Sequence, residues 1–225
     1  MMTMMTKRLV LLFLLIYTSS ISFSQDDFGI WYSVAAEKKL VKNLGLDLDA
    51  NVRTFNNASK IEEAFFDLGL SFKLNKYLSA GVSYRFTEFK ENDDLFHPRH
   101  KWFADIRGKL PLGDFDLTAR FRFQQRYKTY FEDENDKESK EVGRIKLKMS
   151  YNIPSFPVNP YISTELFFPM FGQSERIVEK NRFMAGIGYN ISKKNSLELE
   201  YMFQRDYFPH ISDINVVSVG YNFKF

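Results

Sequence analysis

The chain contains no cysteine, and this absence removes several kinds of site at once. Without a thiol there is no disulfide, no thiolate metal ligand, no cysteine nucleophile and no lipid attached to an N-terminal cysteine. The net charge is also small, at +3 over 225 residues. No bulk positive charge therefore favours nucleic acid as a partner.

Long hydrophobic runs are missing beyond the first 24 residues. Lys7 and Arg8 precede an apolar run at residues 9–16, and small polar residues lead to Ser24. This order predicts a cleaved signal peptide at residues 1–24, followed by a single domain at residues 25–225. No later window approaches the roughly 20 apolar residues of a membrane helix. An exported chain of this kind is integral to a membrane only as a closed β-barrel, because lipid satisfies no backbone hydrogen bonds.

Aromatic and charged residues are both abundant, at 17% and 26% of the chain. Residues 44–55 show how they are arranged: Leu46 and Leu48 occupy one register, while Asp47 and Asp49 occupy the other. A strand directs successive side chains to opposite faces, so this alternation predicts one apolar and one polar face. Most of the segments that alternate in this way span about 10 to 12 residues, the length of a tilted membrane-spanning strand.

The alternation recurs in eleven segments, whose connections are alternately short and long. Bacterial single-chain barrels prefer even numbers of strands. With a periplasmic C-terminus, the first segment, residues 28–37, would run parallel to the last. Either that segment lies outside the wall, or one further strand exists. We predict an all-β, antiparallel transmembrane β-barrel of about 12 strands, within a range of 10 to 12.

The last segment ends the chain on an alternating aromatic pattern. The residues in its apolar register are Val217, Val219, Tyr221, Phe223 and Phe225. A terminal Phe in such a register resembles the C-terminal signal of outer-membrane barrels. The predicted location is therefore the outer membrane of a Gram-negative bacterium, with outer-membrane lipid and the barrel assembly machinery as partners.

Four stretches carry a resemblance to a known family. They are FGIWYSVAAEKKL at residues 28–40, DLGLSFKLNKYLSAGVSYRF at residues 67–86, PYISTELFFP at residues 160–169 and NSLELEYMFQ at residues 195–204. With them the mature chain resembles the domain of unknown function 2490 family, uncharacterised outer-membrane barrels found mostly in Bacteroidota. The resemblance implies a location and a fold, but no activity and no catalytic residues.

Charged residues in the inward register are the candidates for function. The predicted basic wall comprises Arg120, Arg122, Arg126, Arg144, Lys146 and Lys148, and the predicted acidic wall comprises Asp47, Asp49, Asp67, Glu198 and Glu200. In a closed barrel the sixth and seventh segments lie roughly across from the first and last. The two walls predict a narrow pore or a binding cavity for an unidentified small polar or anionic solute. The alternative is that these side chains pair with one another and plug a narrow lumen.

Two other kinds of function are alternatives. The polar connection at residues 128–141 suggests a structural or surface-interaction barrel that acts through its outer loops. His97, His100 and His210 lie near the outer loops, with Ser212 beside the last, and a lipid-modifying hydrolase would need such groups. No recognised signature surrounds them, so we do not expect an enzyme.

We predict no cofactor and no metal. Pro98 lies between His97 and His100, and the acidic connection lacks the glycine-centred order of a calcium loop. Trp31 and Trp102 are interpreted as residues of the aromatic girdles at the membrane interfaces.

Overall fold

The computed structural model describes residues 27–130, 139–171, 177–208 and 210–225. The predicted signal peptide lies outside these residues. All eleven strands form one closed barrel. They are β1 (Asp27–Val41), β2 (Leu44–Phe55), β3 (Lys60–Lys73), β4 (Leu78–Lys90), β5 (Phe96–Leu112), β6 (Phe115–Lys128), β7 (Lys140–Tyr151), β8 (Val158–Pro169), β9 (Lys180–Asn190), β10 (Asn195–Asp206) and β11 (Ser212–Lys224). No helix among these residues is long and apolar enough to cross a membrane.

The period-two pattern places large apolar side chains on the outside of the wall. Val34, Val82 and Ile162 are each more than half exposed there. Their neighbours along each strand point into the lumen, where Phe103 and Met202 are almost fully buried. The packed core of the molecule is therefore the barrel interior, and no other element among the described residues covers the apolar outer surface.

The prediction of about twelve strands was wrong, because the ring closes with eleven. Each hairpin reverses the chain direction, so the first and last of eleven strands run the same way. β1 and β11 accordingly pair in parallel, from Asp27 opposite Ile214 to Glu37 opposite Lys224. The apolar outer face and the polar inner face both continue across this parallel seam.

The connections divide the barrel into two ends. Residues 42–43, 74–77, 113–114, 152–157 and 191–194 form the short-turn end. Residues 56–59, 91–95, 129–139, 170–179 and 207–211 connect the strands at the opposite end, which we call the long-loop end. Much of its two longest connections falls outside the described residues.

Pro98 lies within a strand of the wall. β5 begins at Phe96 and pairs Pro98 with Glu88 of β4. Proline removes one backbone donor and leaves the carbonyl, which here accepts a hydrogen bond from Thr129 Oγ1 at 2.7 Å. The strand therefore continues past this residue.

Close contact between β1 and β2 at the long-loop end requires a glycine. A Cβ atom on Gly29 would lie 2.5 Å from the carbonyl oxygen of Thr54. The Thr54 hydroxyl accepts a hydrogen bond from the Ile30 N–H at 2.8 Å and donates one to the Ile30 carbonyl at 3.0 Å. These contacts hold β1 against β2 beside the lumen.

Candidate functional site: the charged lumen

A cavity of about 740 Å³ occupies the barrel interior at the long-loop end, and every strand contributes to its lining. Ten cationic side chains and five carboxylates line it. The cations are Arg53, Arg85, Arg99, Lys101, Arg122, Arg126, Lys140, Arg144, Lys180 and Arg182, and the carboxylates are Asp27, Glu62, Glu63, Glu179 and Asp206. The inward register of the strands thus creates a polar chamber with an excess of positive charge.

A belt of stacked arginine and aromatic side chains surrounds this cavity. Its members are Trp31, Arg53, Phe65, Arg85, Phe103, Arg122, Arg144, Phe167 and Arg182. The guanidinium carbons lie 3.5 to 5.2 Å from the ring centroids, as in Arg53 over Trp31 at 3.8 Å and Arg85 over Phe65 at 3.5 Å. Arg182 returns the belt to Trp31 at 5.1 Å. Such stacking holds each guanidinium flat against a ring and limits its motion.

Carboxylates on the wall neutralise most of the belt arginines. Bidentate pairs join Arg85 to Asp67 (2.5 and 2.6 Å), Arg122 to Asp105 (2.6 and 2.6 Å) and Arg144 to Glu165 (2.9 and 3.1 Å). Arg53 donates to Glu63 at 2.5 Å. In three of these four pairs the carboxylate lies directly opposite the arginine on the neighbouring strand. Ion pairs between neighbouring strands therefore neutralise four of the belt arginines.

Arg182 is the exception among the belt arginines. Gln204, an amide, lies opposite it on β10 and accepts a hydrogen bond from Arg182 Nε at 2.7 Å. No carboxylate of the described residues lies within ion-pair distance of its guanidinium. Its charge is felt most by Glu165, Asp206 and Glu63, and each of these is already paired with another cation.

The predicted basic wall is divided between two levels of the lumen. Arg122, Arg126 and Arg144 line the cavity, whereas the other three predicted residues are outside its lining. Of those, Arg120 donates to Glu165 at 2.6 Å, and Lys148 lies 3.3 Å from Glu198. The partner of Lys146 is Met184, whose sulfur lies 3.6 Å from the Lys146 ammonium.

The residues of the predicted acidic wall have separate partners. Asp67 binds Arg85, Asp49 accepts from Asn51 at 2.5 Å, Asp47 bonds to Ser71, Glu198 pairs with Lys148, and Glu200 accepts from the Tyr161 hydroxyl at 2.7 Å. Among the described residues, the ion pair that reaches furthest around the ring is Lys148 with Glu198, from β7 to β10. In the part of the chain described, this ion pair bridges the two predicted walls, and the other residues of the acidic wall have partners outside the basic wall.

On the short-turn side of the belt, Gly186 leaves a space inside the barrel that the Tyr161 side chain occupies. A Cβ atom on Gly186 would lie 2.6 Å from the Tyr161 hydroxyl and 2.8 Å from the Leu199 carbonyl. The absence of a side chain lets the Tyr161 ring lie against β9, reach Glu200, and receive the Lys148 ammonium 3.4 Å above its centroid. This cluster packs the short-turn half of the lumen on one side.

Sequence reasoning did not single out several residues that contribute most to the site. Trp31 was interpreted as a girdle residue, but it points into the lumen, while Trp102 is on the outer face and 55% exposed. Glu165 and Arg182 were not among the candidates. All three occupy the inward register, so parity alone could have found them, whereas their contacts depend on how the strands are staggered.

The three histidines are separated. His210 lines the cavity, and His100 lies on the outer face with Nδ1 2.5 Å from the Tyr84 hydroxyl. His97 Nε2 lies 2.7 Å from Asp93 Oδ2, and this hydrogen bond lowers the pKa of Asp93 below its ordinary value. Within the described ranges, no three His, Asp or Glu side chains are grouped to hold a metal ion.

The predicted terminal signal lies at the parallel seam. Val219 and Tyr221 are on the outer face, opposite Tyr32 and Val34 of β1. Phe225 is exposed, and its N–H donates to the Glu37 carbonyl at 2.9 Å. Of the outer connection that we considered for surface interaction, residues 131–138 lie outside the described part of the chain.

These features define the class: a closed eleven-stranded β-barrel, similar to outer-membrane porins, with an apolar exterior and a charged lumen. The chain belongs to the DUF2490 family, described as proteins of unknown function, and it matches this family over residues 28–215. No curated protein matches the sequence.

Solved structures resemble the barrel at low sequence identity. The NanC porin superimposes with a TM-score of 0.51 at 12% identity, over 79% of this chain and 86% of the porin. The β-domain of the Bordetella autotransporter BrkA gives 0.46 at 12% identity, over 76% and 78% of the two chains. A bacterial polysaccharide outer-membrane secretin gives 0.44 at 10% identity, over 78% and 72%. At such identities the likeness to the porin concerns the fold alone, and the two scores below 0.5 carry no argument.

Proposed function

We propose that this protein spans the outer membrane and admits small anionic solutes into its lumen from the long-loop end. The apolar outer surface supports the membrane placement, because a closed barrel satisfies its backbone hydrogen bonds within the wall and can present its oily side chains to lipid. Longer connections on one end fit the outer side of such a barrel. The proposed location is thus the outer membrane, with its lipid in contact with the apolar outer surface.

The observation that carries the proposal is the charge of the cavity. Ten cationic side chains and five carboxylates line one chamber of about 740 Å³. Asp67, Glu91, Asp105 and Glu165, which are not part of that lining, pair with four of the cations and reduce the positive excess without removing it. A low-dielectric wall concentrates the field of such a cluster, so anions are attracted and cations are repelled. The carboxylates paired with the belt arginines lie on neighbouring strands, which supports an accessible chamber at the long-loop end.

Conductance of the refolded protein in planar bilayers tests this function. In a potassium chloride gradient, we expect a reversal potential of the sign that chloride permeation produces. Lys180→Gln, which removes a charge from the cavity lining, should reduce that potential. Lys193→Gln removes an equivalent charge from a short turn outside the cavity and should leave it unchanged.

Two outcomes would overturn the proposal. No conductance in gradients of either direction would exclude passage through the lumen, and a cation preference would show that the positive lining does not control permeation.

A further inference from the structure

We propose that Arg182, together with Trp31 and Arg53, forms a subsite for the carboxylate of a small organic anion that also carries a flat apolar face. This inference rests on the proposed function only in that a solute must reach the cavity. It names the chemical class of that solute and the group that recognises it.

The first argument is the missing counter-charge. Arg53, Arg85, Arg122 and Arg144 each have a carboxylate in contact. Arg182 lies opposite Gln204 on β10 and opposite Glu165 on β8, but Glu165 is already paired with Arg120 and Arg144. A half-buried guanidinium without a partner is unfavourable unless an anion arrives to pair with it. The wall thus leaves one place in the belt where a ligand carboxylate can occupy the position that Asp or Glu occupies elsewhere.

The second argument is the orientation of the guanidinium. Nε of Arg182 donates to Gln204 Oε1 at 2.7 Å, and Gln204 Nε2 in turn donates to Asp206 Oδ2 at 2.7 Å. The guanidinium carbon of Arg182 lies 5.1 Å from the centroid of the Trp31 ring and 4.8 Å from that of Phe167. Its two terminal nitrogens have no hydrogen-bond partner among the described residues. A fixed fork with both of its ends open matches the two oxygens of a carboxylate.

The third argument is the apolar surface beside this fork. Trp31 lies between Arg53 and Arg182, and it packs with Ile214 against a buried cluster that includes Met202 and Val216. Arg53 covers one face of this ring, and the part of the ring that lines the cavity offers an apolar contact next to the charge. A ligand with a carboxylate attached to a flat apolar group can therefore use both features, whereas acetate or inorganic phosphate can use the charge alone.

Fluorescence of Trp31 can report binding directly. Trp102 is the second tryptophan of the chain and lies on the outer face, so Trp102→Phe removes its background. In this background we would titrate the detergent-folded protein with benzoate, acetate, phosphate and the neutral analogue benzamide at constant ionic strength. Benzoate should give a saturable change, acetate and phosphate should bind more weakly, and benzamide should give none.

Three variants test the role of Arg182. Arg182→Gln should weaken benzoate binding roughly tenfold or more, as expected for loss of a charge-assisted bidentate contact. Gln204→Glu keeps Arg182 but places a carboxylate opposite it, as at the other belt positions, and should also abolish the saturable change. Arg107→Gln removes a lumen cation outside the cavity lining and should bind benzoate with unchanged affinity.

The outcomes separate this subsite from the conductance proposal. Equal benzoate affinity in wild type, Arg182→Gln and Gln204→Glu would overturn the subsite, even if the barrel conducts anions. Phosphate or acetate binding as tightly as benzoate would overturn the flat-face requirement. Benzoate binding that is lost in both variants, from a barrel that is silent in bilayers, would support the subsite and reject passage.

Discussion

Glu165→Gln should destabilise the barrel more than any comparable change in the lumen. Glu165 is 2% exposed and neutralises two arginines, Arg120 at 2.6 Å and Arg144 at 2.9 Å. The amide keeps the size of the side chain but leaves both guanidinium groups buried without a counter-charge. Removing one partner of a buried ion pair costs about 3–5 kcal/mol, so we expect a loss of this order in the free energy of unfolding.

The matched control is Glu198→Gln in the same lumen. Its ion pair with Lys148 is open to water, since the two side chains are 37% and 33% exposed, at a distance of 3.3 Å. Solvent screening limits such a pair to about 0–1 kcal/mol. The same chemical change at two depths of burial should therefore have very different effects.

Urea unfolding in lipid vesicles, followed by the gel-mobility difference between folded and unfolded barrel, measures both losses. A shift in the unfolding midpoint for Glu165→Gln but not for Glu198→Gln is expected. Equal shifts, or no shift in either, would refute the reasoning that burial of this ion triad governs the stability of the wall.

Three further predictions concern the seam, the outer face and one loop. The chain has no natural cysteine, and Ala35 lies opposite Asn222 across the parallel seam. The double variant Ala35→Cys with Asn222→Cys should therefore form an intramolecular disulfide on oxidation. A gel mobility of the denatured double variant identical to that of the single-cysteine variants would contradict the eleven-strand closure. Ile162→Arg, on the outer face, should cost about 2–4 kcal/mol in vesicle unfolding if this surface contacts lipid, and a change near zero would argue against membrane insertion. The pKa of Asp93 should lie below 3.8, so its contribution to stability is present above that pH and is lost as the pH falls through the lowered value. NMR titration of the carboxyl should show the pKa rising in His97→Ala, and an unchanged pKa would exclude the hydrogen bond as its cause.

The sequence by itself determined the wall of this barrel. Alternation such as that of residues 44–55 requires one oily and one polar face, and the same pattern in eleven segments supplied all eleven strands in order. It also assigned Arg122 and Arg144 to the interior, because parity along a strand decides the face on which a side chain lies.

Only the tertiary structure decided how the ring closes and which charges meet. An even strand number was favoured on general grounds, but closure depends on whether β1 can pair in parallel with β11, and that is a contact between the two ends of the chain. Likewise, the inward register contains arginines and carboxylates without indicating their stagger. That stagger places Asp67 opposite Arg85, whereas Arg182 lies between Gln204 and a Glu165 that already pairs with Arg120 and Arg144. The Arg182 guanidinium therefore has no ion pair among the described residues.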